Sequence, residues 1–204
     1  MTRIAAAILA GGRGERLGGV NKALLQFCGR TLLARALEAI EGADPVLLCG
    51  GANIFPAETG IAPQRILPDL VGEYGGPLAG VAAAVDYLAG GRADLLLTLA
   101  VDTPFFPADF VSRALDALAE HDGVIAAYGG QSYPTNAIWR LPSIAVLPDG
   151  VRSGTAFHSL KRLAGSISTV QLDYAGIAAE DPFANINTAA DLKGLRARFV
   201  RAAT

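Results

Sequence analysis

The residues near the start of the chain that could do chemistry are glycines and cations behind an apolar run. Residues Ile4–Leu9 are all apolar, and the stretch that follows contains Gly11, Gly12, Arg16 and Lys22. Glycine lets a ligand approach the backbone because it has no Cβ atom, and Arg and Lys supply positive charge for phosphate oxygens. A strand that leads into such a loop can also present backbone N–H groups to phosphate. The stretch therefore predicts a nucleoside triphosphate site.

A carboxylate follows the most apolar segment of the chain. Asp102 lies in the sequence LLLTLAVDTP, where a buried strand is expected to end. An unpaired carboxylate at such depth would be costly, so it needs a cation, a helix N-terminus or hydrogen bonds. Mg²⁺ binds one or two carboxylates together with phosphate oxygens and water, which favours Asp102 as a metal ligand. The alternative is that Asp102 caps a helix that begins at Pro104 or Pro107.

Other polar residues follow short extended segments. Asp69 precedes a Gly-Gly-Pro turn at Pro77, and it could hydrogen-bond a ribose or base or act only as a turn acid. Asn185 and Asn187 alternate just before the last helix, which places them on one side, although an Asx-turn would also explain them. Arg152 could bind an anionic acceptor or could simply be solvated.

Two well-known glycine motifs do not fit the opening loop. The dinucleotide fingerprint G-x-G-x-x-G fails because Leu17 stands at its third glycine, and no Gly-Lys-Ser/Thr completes a phosphate loop. The pattern L-A-G-G-x-x-x-R-x-G-x-x-x-K does fit, from Leu9 to Lys22, and it resembles the signature of nucleotidyltransferases. There, Arg16 would contact the β- and γ-phosphates and Lys22 the α-phosphate. The alternative is a surface turn with solvated cations.

Composition limits the class of protein. The 204 residues carry a net charge of −2, which gives no electrostatic case for nucleic-acid binding. No apolar run reaches the length of about 20 residues that spans a bilayer, and the N-terminus does not resemble a signal peptide. We therefore expect a soluble, cytoplasmic protein that does not bind membranes. The two cysteines, Cys28 and Cys49, lack metal-binding spacing and are expected to be reduced.

Strands and helices alternate along the chain. This order predicts an α/β protein with a three-layer Rossmann-like fold, a mainly parallel sheet and helices on both faces. Ligands in such sheets bind at the carboxyl ends of strands. We expect one domain, residues 1–204, without linker or repeat. Strands are expected at residues 4–9, 45–49, 65–67, 93–100, 124–128, 135–139 and 168–172, and helices after Thr31, from Pro77, from Pro107, over 153–163 and after Thr188.

Further motifs narrow the resemblance to one family. The chain resembles the molybdenum cofactor guanylyltransferases, with which it shares motifs in the same order over nearly its whole length. Besides the opening loop, these motifs are P-D-x-x-x-x-Y-G-G-P-L-A-G at 68–80, V-D-T-P at 101–104, Y-P-T at 133–135 and N-I-N-T at 185–188. The resemblance implies transfer of GMP from GTP to the terminal phosphate of molybdopterin, with pyrophosphate released and Mg²⁺ required. Molybdenum-insertion proteins or apo-molybdoenzymes would then be protein partners.

The resemblance also implies a role for each matching residue. Leu9, Ala10 and Gly11 would contact the nucleotide, and Lys22 and Asp69 would also bind GTP. Residue Asp102 would bind Mg²⁺ beside the phosphates, and the Asn185 and Asn187 pair would face the pterin. Residues 1–105 would thus form mainly the GTP-binding half, and residues 106–204 the acceptor-binding half.

One position departs from the family pattern. The family often has an Asn at the end of the second strand to contact guanine, and Cys49 stands there in this chain. The alternatives are therefore a cytidylyltransferase for the same cofactor, or an enzyme that acts on a sugar-phosphate-type acceptor. A non-catalytic nucleotide-binding protein is a third alternative, although binding alone would not need both Lys22 and Asp102.

Overall fold

The computed structural model describes residues 2–11, 21–50, 59–72 and 75–202. Strands and helices alternate through these residues, as the sequence predicts. The strands are β1 Ile4–Leu9, β2 Gln26–Phe27, β3 Arg30–Thr31, β4 Val46–Cys49, β5 Ile66–Leu67, β6 Leu95–Ala100, β7 Gly123–Tyr128, β8 Gln131–Arg140 and β9 Thr169–Asp173. The helices are α1 Leu32–Ala39, α2 Pro77–Leu88, α3 Phe110–Leu118, α4 Leu141–Ile144, α5 Leu147–Arg152, α6 Leu160–Ser166 and α7 Ala189–Ala202.

In the described part of the chain, seven strands form one sheet in the order β5-β4-β1-β6-β8-β7-β9, and β2 pairs with β3. The strands β4, β1 and β6 are parallel to one another, whereas β8 is antiparallel to both β6 and β7. The mainly parallel sheet is therefore confirmed. The β7–β8 hairpin is not among the predicted features, although Gly129 and Gly130 at its turn, both with positive φ, are a hairpin signal.

The sheet is covered on both faces because its central strands β1 and β6 are almost wholly apolar. Alternation along β1 sends Ala6 and Ile8 to one face and Ala5 and Ala7 to the other. The first face packs against α1, α3 and α7, and the second face packs against α2 and the short helices α4 to α6. This three-layer arrangement confirms the predicted fold class.

Helix ends follow their capping residues. Thr31 Oγ1 accepts a hydrogen bond from Ala34 N at 3.1 Å, and Pro77 is the first residue of α2, so both predicted starts are confirmed. The start predicted at Pro107 is wrong by three residues, since α3 begins at Phe110.

The helix predicted over residues 153–163 is also wrong for its first half. Helix α6 begins only at Leu160, after Ser159 has accepted a hydrogen bond from Arg162 N. Gly154 has a φ of 71°, in the left-handed region, which ends α5 and prevents a continuous helix.

Both cysteines are free thiols. None of the helices in the described ranges combines the length and the apolar character needed to cross a bilayer.

Candidate nucleotidyl-transfer site

The carboxyl ends of β1, β4 and β6 meet at one edge of the sheet, and a cavity of about 130 Å³ opens there. Four of the residues that the sequence assigns to the nucleotide site line it: Leu9, Gly11, Asp69 and Asp102. The lining residues are Leu9, Gly11, Cys49, Asp69, Gly76, Pro77, Gly80, Ala100, Val101, Asp102, Thr135 and Asn185. Parallel strands bring these distant segments together because each strand ends at the same edge.

Two glycines let β1 and β4 approach each other at the cavity. Gly50 has a φ of 83°, and a Cβ atom built on it would lie 2.6 Å from both the Cα and the N of Gly11. Only glycine fits this combination of positive φ and close contact. The Gly11 backbone is thereby left uncovered at the cavity wall, as a phosphate- or nucleotide-binding main chain requires.

The substitution Gly50→Ala is expected to lower the free energy of unfolding by about 2–4 kcal/mol, because backbone strain adds to the overlap with Gly11. Gly42→Ala is the matched control: Gly42 has a φ of 93°, and within the described residues a methyl group added there would meet no atom within 4 Å beyond its chain neighbours. For the control, urea denaturation should show that the free energy of unfolding falls by only about 1–2 kcal/mol. Equal losses in the two variants would contradict the close approach.

Asp69 lies between these glycines and the first turns of α2. A Cβ atom on Gly80, in the second turn of α2, would lie 3.3 Å from Asp69 Oδ1 and 3.3 Å from Cys49 Cβ. Burial raises the pKa of Asp69 above its ordinary value. Burial, and secondarily the charge of Asp69, raises the pKa of Cys49 to about 12, so this side of the cavity has a neutral thiol beside a carboxylate.

Asp69→Asn is expected to stabilise the folded chain at neutral pH while weakening GTP binding about tenfold, the effect of losing one hydrogen bond to a charged group. A carboxyl whose folded-state pKa is raised makes the fold less stable as pH rises above the unfolded-state pKa. The stability gain of the variant should therefore shrink as pH falls toward the ordinary carboxyl pKa. Urea denaturation at several pH values and titration calorimetry with GTP would measure both effects; unchanged stability at neutral pH would contradict the burial cost.

Lys22 and Asp102 form an ion pair across 80 residues of sequence. Lys22 Nζ lies 2.5 Å from Asp102 Oδ2 and 2.7 Å from Asn187 Oδ1. The side chains of Lys22 and Asp102 are only 13% and 14% exposed. Lys22 opens a short 3₁₀ helix, Lys22–Leu24, in which Asn21 Oδ1 accepts a hydrogen bond from Ala23 N. The structure thus brings together the cation and the carboxylate that the sequence assigns to phosphate and metal.

The donor set suits a divalent cation that is shared with substrate. Within residues 2–11, 21–50, 59–72 and 75–202, no group of three or more His, Cys, Asp or Glu side chains could hold a metal. In those same ranges, Oδ1 of Asp102 accepts no hydrogen bond, so one carboxylate oxygen remains for a cation. Mg²⁺ is typically bound by one or two carboxylates plus substrate phosphates, and the residues present fit that pattern.

The segment that carries Asn185 and Asn187 is fixed at both ends. Ile186 N donates to the Asp102 backbone oxygen at 2.9 Å, and Ile186 itself is fully buried. Asp191 Oδ2 accepts from Asn187 N at 3.0 Å and from Thr188 N at 2.8 Å, while Thr188 Oγ1 accepts from Asp191 N. This reciprocal capping box confirms the predicted cap at Thr188 and holds both Asn side chains beside Asp102.

Arg152 is not brought to the cavity. Arg152 pairs with Asp86 at 2.6 Å and with Asp149 at 3.4 Å, so its charge is met on the outer side of α2, and neither partner lies at the cavity. Gly12 and Arg16 lie outside the described residues.

Sequence reasoning missed a buried polar pair behind the site, Thr103 and Asn136. Thr103 Oγ1 donates to Asn185 Oδ1 at 3.0 Å, and Asn136, which is fully buried, hydrogen-bonds both Thr103 and the end of β6. The available signal was an Asn directly before the apolar residues AIW of a predicted strand, because a buried amide needs polar partners.

Comparison with known proteins agrees with this geometry. Residues 6–172 match the family model of the MobA-like NTP transferase domain. A curated molybdenum cofactor guanylyltransferase from Rhodobacter capsulatus is 38% identical over 191 residues, which cover 93% of each chain.

Solved structures share the fold. A molybdopterin-guanine dinucleotide biosynthesis protein A from Archaeoglobus fulgidus superimposes with a TM-score of 0.73 at 20% identity, covering 97% of this chain and 99% of that one. A protein from Mycobacterium tuberculosis H37Rv, solved in complex with manganese, gives a TM-score of 0.66 at 17% identity, covering 96% and 99%. With its domain model matched over most of its length and a curated relative at 38% identity, the chain belongs to the MobA-like NTP transferase family.

Proposed function

We propose that this chain transfers GMP from GTP to the terminal phosphate of molybdopterin, releasing pyrophosphate and producing the guanine dinucleotide form of the molybdenum cofactor. The observation that carries the proposal is the Lys22–Asp102 pair at the edge of the sheet, with Asn187 on the same ammonium group. The name of the Rhodobacter capsulatus relative supplies the nucleotide and the acceptor. GTP and molybdopterin are the substrates.

The reaction asks for positioning and charge neutralisation rather than for a general base. The acceptor phosphate is already anionic and is itself the nucleophile, so an in-line displacement at the α-phosphorus breaks the bond to pyrophosphate. Lys22 leaves Asp102 and contacts the α-phosphate, and its ammonium offsets the charge that accumulates there. Arg16, from the same loop, would contact the departing phosphates.

The nucleotide half of the site is the side of the cavity formed by the ends of β1 and β4 and the start of α2. Leu9, Ala10 and Gly11 would face the nucleotide through the main chain left open by Gly50, with Gly12 continuing the loop. Asp69, beside the first turns of α2, would hydrogen-bond the ribose or base. Residues 1–105 would provide most of these contacts, and residues 106–204 would bind the acceptor through Asn185 and Asn187.

A divalent cation, which we propose to be Mg²⁺, would be held by Asp102 together with phosphate oxygens of GTP. When bound, it would supply positive charge that polarises the α-phosphate and stabilises the leaving pyrophosphate. Oδ1 of Asp102 is available for this role, and Oδ2 would become available as well when Lys22 moves to the phosphate.

The decisive experiment is pyrophosphate release with molybdopterin, Mg²⁺ and each of GTP, CTP, ATP and UTP. Release only with GTP, together with formation of the guanine dinucleotide, is the expected result. Preference for CTP would overturn the guanylyl assignment and leave the chemistry in place. Nucleotide binding without pyrophosphate release would overturn the transferase assignment itself.

This experiment matters most for selection of the base, because Cys49 has no amide group that could hydrogen-bond guanine. The Cys49 thiol is 1% exposed and neutral, so it packs in the cavity wall and does not act as a strong hydrogen-bonding group. Discrimination of GTP from CTP would therefore come from backbone groups and from Asp69.

A further inference from the structure

Asn136 is a fully buried polar side chain on β8 with no part in the reaction described so far. The pairing of β6 with β8 ends at Thr98 opposite Ala137, so the N–H of Ala100 has no partner in that ladder. Asn136 Oδ1 accepts this hydrogen bond at 2.9 Å and replaces the missing strand contact. The amide thus fixes the end of β6 two residues before Asp102.

A local irregularity in β8 makes this contact possible. The pairing of β7 with β8 changes from Ile125 opposite Ala137 to Ala126 opposite Tyr133, so residues 134–136 have no partner in β7. Such a bulge re-aims side chains. Here, the redirected side chain is that of Asn136, which reaches the end of β6.

The hydrogen bonds that start at Ala100 have a fixed direction. A backbone N–H can only donate, so Oδ1 of Asn136 must face Ala100 and its NH₂ group must face Thr103 Oγ1, at 3.4 Å. The Thr103 hydroxyl accepts that bond, and its own proton goes to Asn185 Oδ1 at 3.0 Å. Asn185 is therefore held with its carbonyl oxygen inward and its NH₂ group toward the cavity.

We infer that Asn136 and Thr103 are positioning residues that orient Asn185 as a hydrogen-bond donor to the acceptor substrate. In the described ranges, Nδ2 of Asn185 has no partner, and Asn185 lines the cavity. A donor at this point recognises an oxygen of the acceptor, either a phosphate oxygen or a carbonyl oxygen. This inference rests on the proposed function, since it concerns the second substrate of that reaction.

Thr103→Val, which keeps the shape and removes the hydroxyl group, is expected to raise the KM for molybdopterin about tenfold and to leave the Kd for GTP unchanged. Without the hydroxyl, Asn185 is free to turn its carbonyl toward the acceptor oxygen. Thr103→Ser, which keeps the hydroxyl group, should restore a KM close to that of the parent chain. Initial rates of pyrophosphate release at varied molybdopterin, with titration calorimetry for GTP, provide both values.

Thr98→Val is the matched control for stability. Thr98 is a fully buried threonine on β6, and its hydroxyl group accepts from Trp139 Nε1 and donates to the Ala137 oxygen, away from the cavity. This variant should lose stability in urea and keep the parent KM for molybdopterin. If Thr103→Val behaved like Thr98→Val, with lower stability and unchanged KM, the inference would be wrong while the proposed function stood.

A double variant tests whether the effect passes through Asn185. In an Asn185→Ala background, Thr103→Val should cause no further rise in KM, because the side chain that it orients is gone. A further tenfold rise would overturn the inference. If the parent chain released no pyrophosphate from GTP with molybdopterin, the proposed function would fail, and this inference with it.

Discussion

Asp102→Asn is expected to reduce the rate of GMP transfer by about a hundredfold to a thousandfold, the usual effect of losing one preorganised electrostatic contact at the reacting centre. The carboxylate that would bind the cation is replaced by a neutral amide of the same shape. Because the variant also leaves Lys22 with Asn187 as its remaining partner, the ammonium can still reach the phosphate. The loss should therefore appear in the transfer step, measured as single-turnover pyrophosphate release at saturating GTP.

The matched control is Asp94→Asn, which removes a carboxylate at the opposite end of β6. Asp94 pairs with Arg3 at 3.0 Å in an exposed ion pair, and such pairs contribute little to stability. Transfer by this variant should stay within about twofold of the parent. Raising the Mg²⁺ concentration should partly restore Asp102→Asn if the carboxylate serves as a metal ligand, whereas turnover near the parent rate at ordinary Mg²⁺ would show that Asp102 has no such role.

The central fold could be predicted because its strands are almost wholly apolar. Strands β1 and β6 are bounded by glycine or by Asp-Thr-Pro, and the sequence predicts both to within two residues. Strand β8 is predicted only over residues 135–139, since residues 131–134 lack the apolar pattern of a strand. Its antiparallel direction is set by the hairpin at Gly129-Gly130, a signal that the sequence did contain.

The site was predictable where its residues follow strand ends. Asp102 comes together with Gly11 and Lys22, the described ends of the opening loop, because β1 and β6 end at the same edge, so a separation of 80 residues between Lys22 and Asp102 did not hide their relation. The surroundings of Arg152 could not be predicted in this way, since a single charge in a weakly patterned region gives no indication of its partner. Its partner, Asp86, lies on the exposed side of α2, which no sequence pattern relates to residue 152.

The hydrogen-bond direction through Asn136 could not be predicted at all. It depends on a shift in the pairing of β7 and β8 that leaves residues 134–136 unpaired, and on a ladder that ends at Thr98. Both are properties of three-dimensional pairing rather than of composition. The sequence showed only that a polar residue directly precedes an apolar segment.

The charges of Lys22 and Asp102 also neutralise each other when no substrate is bound. Each side chain is largely buried, and burying either charge alone would be costly. The pair lowers that cost, and in the proposed reaction it would separate as Lys22 moves to the phosphate and Asp102 binds the divalent cation. Substrate binding would then exchange one set of charge contacts for another, so that neither charge would be left unpaired.

Lys22→Met is expected to reduce GMP transfer by about a hundredfold or more, because the methionine keeps the aliphatic stem and removes the ammonium that would neutralise the α-phosphate. The effect should fall on the transfer rate and on GTP affinity together, since Lys22 would contact the phosphate in both the ground state and the transition state. Asp102 loses its partner in this variant, so the folded chain should also be less stable without ligand and regain stability when Mg²⁺ is added.

Lys193→Met is the control for the change in net charge. Lys193 lies on the exposed side of α7, so its replacement should leave transfer, GTP affinity and the response to Mg²⁺ unchanged. Thermal unfolding with and without Mg²⁺, followed by single-turnover transfer, separates the two expected effects of Lys22→Met. Full transfer in Lys22→Met would show that another cation neutralises the α-phosphate. A loss of transfer without any stabilisation by Mg²⁺ would show instead that Asp102 does not take up the cation when Lys22 is gone.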